Sequence, residues 1–133
     1  MTKTPAGFRQ RQKWLALLDD AEREIASVRA TLPRPVAQAI KNLPVTLQPL
    51  PDPDYIAEGL PDDTLGLFVG PSLREQESPD PLPPQILLFL ENIHDYAGPS
   101  PAAYRREVRR TFLHELGHYL GLDEDDLLER NLD

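Results

Sequence analysis

Fifteen prolines in 133 residues decide where regular structure can form in this chain. That is about twice the usual proline share of ~5%. Inside a helix, proline costs about 3 kcal/mol, and inside a sheet it removes a ladder hydrogen bond. Elements are therefore confined to the stretches between prolines. Ahead of Pro33 and Pro35, the apolar residues Trp14, Leu15, Leu17, Leu18, Ile25 and Val28 recur at helical spacing, which predicts a helix over 8–32 with the Trp14 stripe as its buried face. A short helix is expected over 36–43, stopped by Pro44. Residues 45–48, VTLQ, alternate like a strand, and LGLFV at 65–69 reads as a second strand closed by Gly70-Pro71. Between them, 49–63 carries four prolines and reads as loop. Residues 71–85 carry five more and read as a long surface loop, a kind of segment that often has a function. ILLFLENI at 86–93 is the strongest strand. Beyond Pro99 and Pro101, a long helix is expected over 102–120, capped by Gly121 in the left-handed conformation. A short final helix with an acidic first turn is expected over 123–132.

The order helix, helix, three strands, helix, helix predicts an α+β fold in which a small mixed sheet packs on helices. No internal repeat or boundary divides it, so residues 1–133 are expected to form one domain. The absence of cysteine excludes disulfides, thiolate metal sites and cysteine nucleophiles. Acids outnumber bases 22 to 14, for a formal net charge of −8, which disfavours a nucleic-acid partner. The longest apolar stretch, 86–90, is too short to span a bilayer, so no membrane association is expected. The first residues run into charge without an apolar signal core, and a cytoplasmic location is expected.

Two of the three histidines lie in His114-Glu115-Leu116-Gly117-His118, an H-E-x-x-H pattern on the last long helix. Residues four apart on a helix are about 40° apart around its axis and ~6 Å along it. Two imidazoles so placed can converge on one ion, and neutral imidazole nitrogen is a good zinc ligand. Glu115, on an adjoining side of the helix, can reach a water activated by the ion without ligating the ion itself. That is the position of a general base. A catalytic zinc site needs a third protein ligand and one open position. Gly121 can turn the chain back over the site, and Glu124 then arrives ten residues after His114. Asp123 and Asp125 flank Glu124 and could substitute for it, and the same acidic run would also suit a helix start, with Asp123 as N-cap. Gly117 within the helix points to a close neighbour there. Tyr104, Val108, Phe112, Leu116 and Leu120 form an i, i+4 row that would anchor the helix opposite the histidines. Arg105 and Arg109 fall within that arc, so the first turns are expected to be less buried than the end.

With these residues the chain resembles the small bacterial zincin-like metallopeptidases, or minimal zincins. The resemblance rests on HELGHYLGLDEDDL at 114–127, TLGLFVGPSL at 64–73 and QILLFLENI at 85–93, with a weaker match at 32–52. It implies a zincin-like core over 33–133 with 1–32 as a helical extension. It places zinc on His114 and His118, Glu124 as the third ligand and Glu115 as general base. It also implies that the strand over 86–93 is the sheet edge bordering the cleft, where an extended peptide would pair. The chain departs from metzincins proper in having glutamate at the third position and no methionine turn, since its only methionine is Met1. Tyr119 stands where the family often has a further histidine.

The expected function is a zinc-dependent hydrolase, a metallopeptidase acting on a peptide or protein substrate through a zinc-activated water. The rivals are a catalytically silent fold serving as a metal- or protein-binding module, and a metal-dependent hydrolase of a non-peptide substrate. Tyr96, Tyr104 and Tyr119 are candidates to steady an oxyanion, with packing as the simpler role for each. His94 reads as an ordinary loop histidine. Arg105, Arg106, Arg109 and Arg110 read as a solvated face.

Overall fold

The structure, a computed structural model, describes residues 6–72 and 83–122. Helix α1 (Ala6–Thr31) runs uninterrupted up to the first of the two clustered prolines. It buries Leu17, Ala21, Ile25 and Val28, spaced as one face of a helix, with Trp14 and Leu18 partly buried beside them and Leu15 exposed. Helix α2 (Arg34–Ala39) is shorter than its sequence predicts, because the backbone passes into turns at Ile40 and buries Ile40 and Leu43 there. Strand β1 (Val45–Gln48) follows at its expected position. The proline-rich connection after it holds a five-residue helix, α3 (Pro53–Ala57). Asp52 caps it by accepting from the Asp54 amide, and Pro53 occupies its first turn.

Strands β2 (Gly66–Val69) and β3 (Gln85–Phe89) complete a three-stranded mixed sheet in the order β1-β3-β2. β3 pairs in parallel with β1, Val45 opposite Ile86, and antiparallel with β2, Gly66 opposite Leu88. Two expectations are corrected here. The strand expected over 86–93 ends at Phe89, and the chain turns directly into helix α4 (Leu90–Ala97). Leu90 and Ile93 are fully buried at a three-residue spacing, and Gly98 closes the helix with φ 90°. The same strand is also not the sheet edge. Ile86, Leu87, Leu88 and Phe89 are all buried, so both faces of β3 are covered, and a strand of that kind belongs in the centre. Among the described residues the edges are β1 and β2.

Helix α5 (Pro101–Tyr119) packs against β2, β3, α4 and α1. Ser100 caps it by accepting from the Ala103 amide, and Pro101 sits at its start. Tyr104, Val108, Phe112 and Leu116 of the predicted row are buried, and Leu120 is partly so. The first turns are less buried than the end, as expected: only Tyr104 and Val108 are buried before residue 111, and Arg105 and Arg109 are half-buried and exposed respectively. Arg29 and Tyr104 help tie α1 to the rest. Arg29 donates to the carbonyls of Ile40 and Leu43 (3.4 and 3.2 Å) and lies 5.7 Å over the Phe112 ring. Tyr104 donates its hydroxyl to the Leu17 carbonyl at 2.8 Å in the buried interface of α1 and α5. The helix expected over 123–132 lies outside the described residues. Among the described residues, no helix is long and apolar enough to cross a membrane.

Burial holds the Tyr104 hydroxyl well above the ordinary phenol range, and the Asp20 charge adds to the shift. A phenol that ionises later in the folded chain contributes stability that is complete below about pH 10 and is lost as pH climbs further. Tyr104→Phe is expected to cost about 1 kcal/mol at neutral pH, a fall in Tm of roughly 3–6 °C. In thermal melts the gap between variant and wild type should close above about pH 10.

Candidate metal centre

The site is built on the last two turns of α5. His114 and His118 lie one turn apart and are half-buried, while Glu115 is buried. The His114 and His118 Nε2 atoms are 3.0 Å apart, with ring centroids 4.7 Å apart and planes nearly perpendicular at 82°. One ligand atom from each of His114, Glu115 and His118 lies within 4.8 Å of the others. Two imidazole nitrogens this close cannot both turn lone pairs inward unless a proton or a cation lies between them. With zinc–nitrogen distances of ~2.0–2.1 Å, two ligands of a tetrahedral ion stand about 3.3 Å apart. The observed approach is a few tenths of an ångström from that value, so the pair fits a shared metal.

Glu115 is placed by the sheet. β2 passes over α5 at Gly66, and a Cβ on residue 66 would come within 2.6 Å of Thr111 Cγ2, 3.2 Å of Leu88 Cδ2 and 3.3 Å of Glu115 Cγ. The strand backbone thus rests on the Thr111 and Glu115 side chains. β2 pairs with β3 on one side, and its other edge pairs with no strand among the described residues.

The helix ends as its sequence predicts. Gly121 adopts φ 80°, its amide bonds to the His118 carbonyl, and the Leu122 amide reaches back to the Gly117 carbonyl, both at 3.0 Å. This is the two-bond Schellman closure, and it reverses the chain three residues after the second histidine. Gly117 is buried within it. Glu124, Asp123 and Asp125 lie outside the described residues.

A cleft of about 190 Å³ opens beside His114, lined by Leu65, Tyr96, Glu107, Arg110 and Thr111. Of the three candidate tyrosines, Tyr96 lines this cleft, exposed at the end of α4. Tyr104 is committed to Leu17, and Tyr119 is buried with its ring 5.7 Å from Phe68. His94 sits on α4 rather than in a loop, with its ring edge against Tyr104. Arg105 lies 3.9 Å from Asp20, and Arg110 lies 3.5 Å from Glu107 at the cleft. The sequence signal for the cleft wall is Thr111, three residues before His114 and four before Glu115, but threonine on a helix carries no chemical signature.

His114, Glu115 and His118 thus form a group that could hold a metal ion, on a helix that fits the H-E-x-x-H pattern. The fold around it is the matching one, a small mixed sheet over an H-E-x-x-H helix. The chain belongs to the zincin-like metallopeptidase family, which matches residues 40–132. No curated protein matches it.

Gly66→Ala should force a stiff, β-branched neighbour to move and cost about 1–3 kcal/mol. Thr111→Ser removes the obstructing methyl, so a double-mutant cycle in denaturant should show positive coupling between the two positions.

Proposed function

We propose that the chain is a zinc-dependent peptidase. The observation that carries this reading is the 3.0 Å approach of the two histidine Nε2 atoms beside a buried glutamate, under a strand whose outer edge pairs with no strand among the described residues. His114 and His118 would hold zinc through Nε2, with Glu124 as the third ligand. Two features support Glu124: the Gly121 reversal, which redirects the chain just before the acidic run, and the extent of the family match, which runs through residue 132. Zinc in such a site lowers the pKa of water and polarises a carbonyl.

The remaining work falls to the chain. Glu115 takes a proton on its carboxylate from the attacking water and passes it to the departing amine nitrogen. At Gly66 the β2 backbone comes close to Glu115 and bounds the side chain that would carry that proton. The edge of β2 that pairs with no strand among the described residues offers main-chain groups to an extended substrate, which would run alongside α5 past His114 and His118. Peptide pairing thus belongs to β2 rather than to the strand that the family resemblance suggested.

Freshly purified protein should carry one zinc per chain by elemental analysis. His114→Ala should lose it, and Glu124→Ala should weaken its binding. Glu115→Gln should retain the metal while peptide hydrolysis falls by at least ~100-fold. Zinc retained after both histidines are replaced would refute the assignment.

A further inference from the structure

Helix α1 is buried only from Leu17 onward. None of residues 7–16 is buried, and among them only Trp14 is half-buried. Phe8 and Leu15, two turns apart on one side of the helix, are 51% and 52% exposed. Followed along α1, that side carries Phe8, Arg11, Leu15, Leu18, Glu22 and Ile25, spaced alternately three and four apart. This is the spacing of a seam that pairs with a second helix. The core-facing residues Leu17, Ala21 and Val28 lie roughly 100° around the axis from it, so the seam is not the face that packs on the protein's own core. Beyond Leu18 the seam becomes one wall of an open groove of about 450 Å³. Val45 and Leu47 form the opposite wall, and being two apart on β1 they turn to the same side.

The charges identify what covers this face. Residues 9–13 hold Arg9, Arg11 and Lys13 and no acid, whereas residues 19–24 hold four acids and one base. A helix divided in this way is complementary to its own antiparallel copy. One register satisfies the whole seam: Phe8 opposite Ile25, Arg11 opposite Glu22, and Leu15 opposite Leu18. Within one chain neither Arg11 nor Glu22 has an ion-pair partner among the described residues. The same register seats the Phe8 ring over the groove between α1 and β1, beside Val45 and Leu47. An anionic membrane would match the basic turns but would oppose Glu22 and the acids that follow them. Most of this face lies in α1, ahead of the residues that the family matches.

We propose that α1 is a self-association surface. Two chains pair their α1 helices antiparallel about a two-fold axis that passes between Leu15 and Leu18. Each apolar contact and each Arg11–Glu22 ion pair then occurs twice, once on either side of the axis.

Sedimentation equilibrium on the full chain tests this. The wild type should sediment at twice the mass of one chain. Arg11→Glu and Glu22→Arg should each raise the dissociation constant of the dimer at least tenfold, and Leu15→Asp should leave single chains. All three positions are exposed, so the fold does not depend on them. Mixing the Arg11→Glu chain with the Glu22→Arg chain should restore the dimer, because each reversed position then meets its opposite on the other chain. Within one helix the two positions are ~16 Å apart, too far for an ion pair, so this rescue reports a contact between chains. A wild type that stays at single-chain mass up to about 1 mM would overturn the proposal. So would a dimer unmoved by either reversal, or a loss that mixing does not rescue. Single chains that bind vesicles of anionic lipid would also overturn it and assign the face to a membrane.

Discussion

Where β2 crosses α5, the strand and the helix side chains approach so closely that only a hydrogen fits on the Cα of residue 66. That contact divides the surface of the helix. Thr111 and Glu115, one turn apart, lie under the strand and are buried. His114 and His118, also one turn apart but displaced around the axis, fall beside it and stay half-open. A bulkier residue at 66 would lift the strand and loosen the glutamate, while the histidines, fixed by the helix alone, would keep their spacing. The relation between Glu115 and the two histidines therefore rests on an absent side chain in a neighbouring strand.

The helix carries two further constraints. Its buried row from Tyr104 to Leu116 anchors it to the core, so the histidines are presented by a rigid element. Its end is closed by the paired bonds at Gly121 and Leu122. Anchoring, presentation and reversal are completed within 22 residues, Pro101 to Leu122.

Much of this arrangement could be read from residue order. The two long helices were apparent from apolar spacing and flanking prolines, because those signals act locally. The histidine pair and the left-handed glycine were apparent for the same reason, since helical geometry alone brings residues 114 and 118 together. The central position of β3 was obscured by the family resemblance, although four consecutive buried residues, Ile86 to Phe89, already carried the mark of a strand covered on both faces. Helix α4 was missed because Leu90 continues an apolar run that began as a strand, and its N-terminus has no side-chain cap. The role of Gly66 could not be read at all. It depends on Thr111, which is 45 positions away, and only the folded chain brings the two together.

Helix α1 lies ahead of the residues that the family matches. Yet its Leu17, Ala21, Ile25 and Val28 belong to the same apolar cluster as Phe112 and Leu116, and the Leu17 carbonyl receives the Tyr104 hydroxyl. Cutting the chain where the family match begins would strip the back of helix α5 and orphan a buried phenol. The span that the family matches and the span that has to hold together in water are therefore different lengths of the same polypeptide.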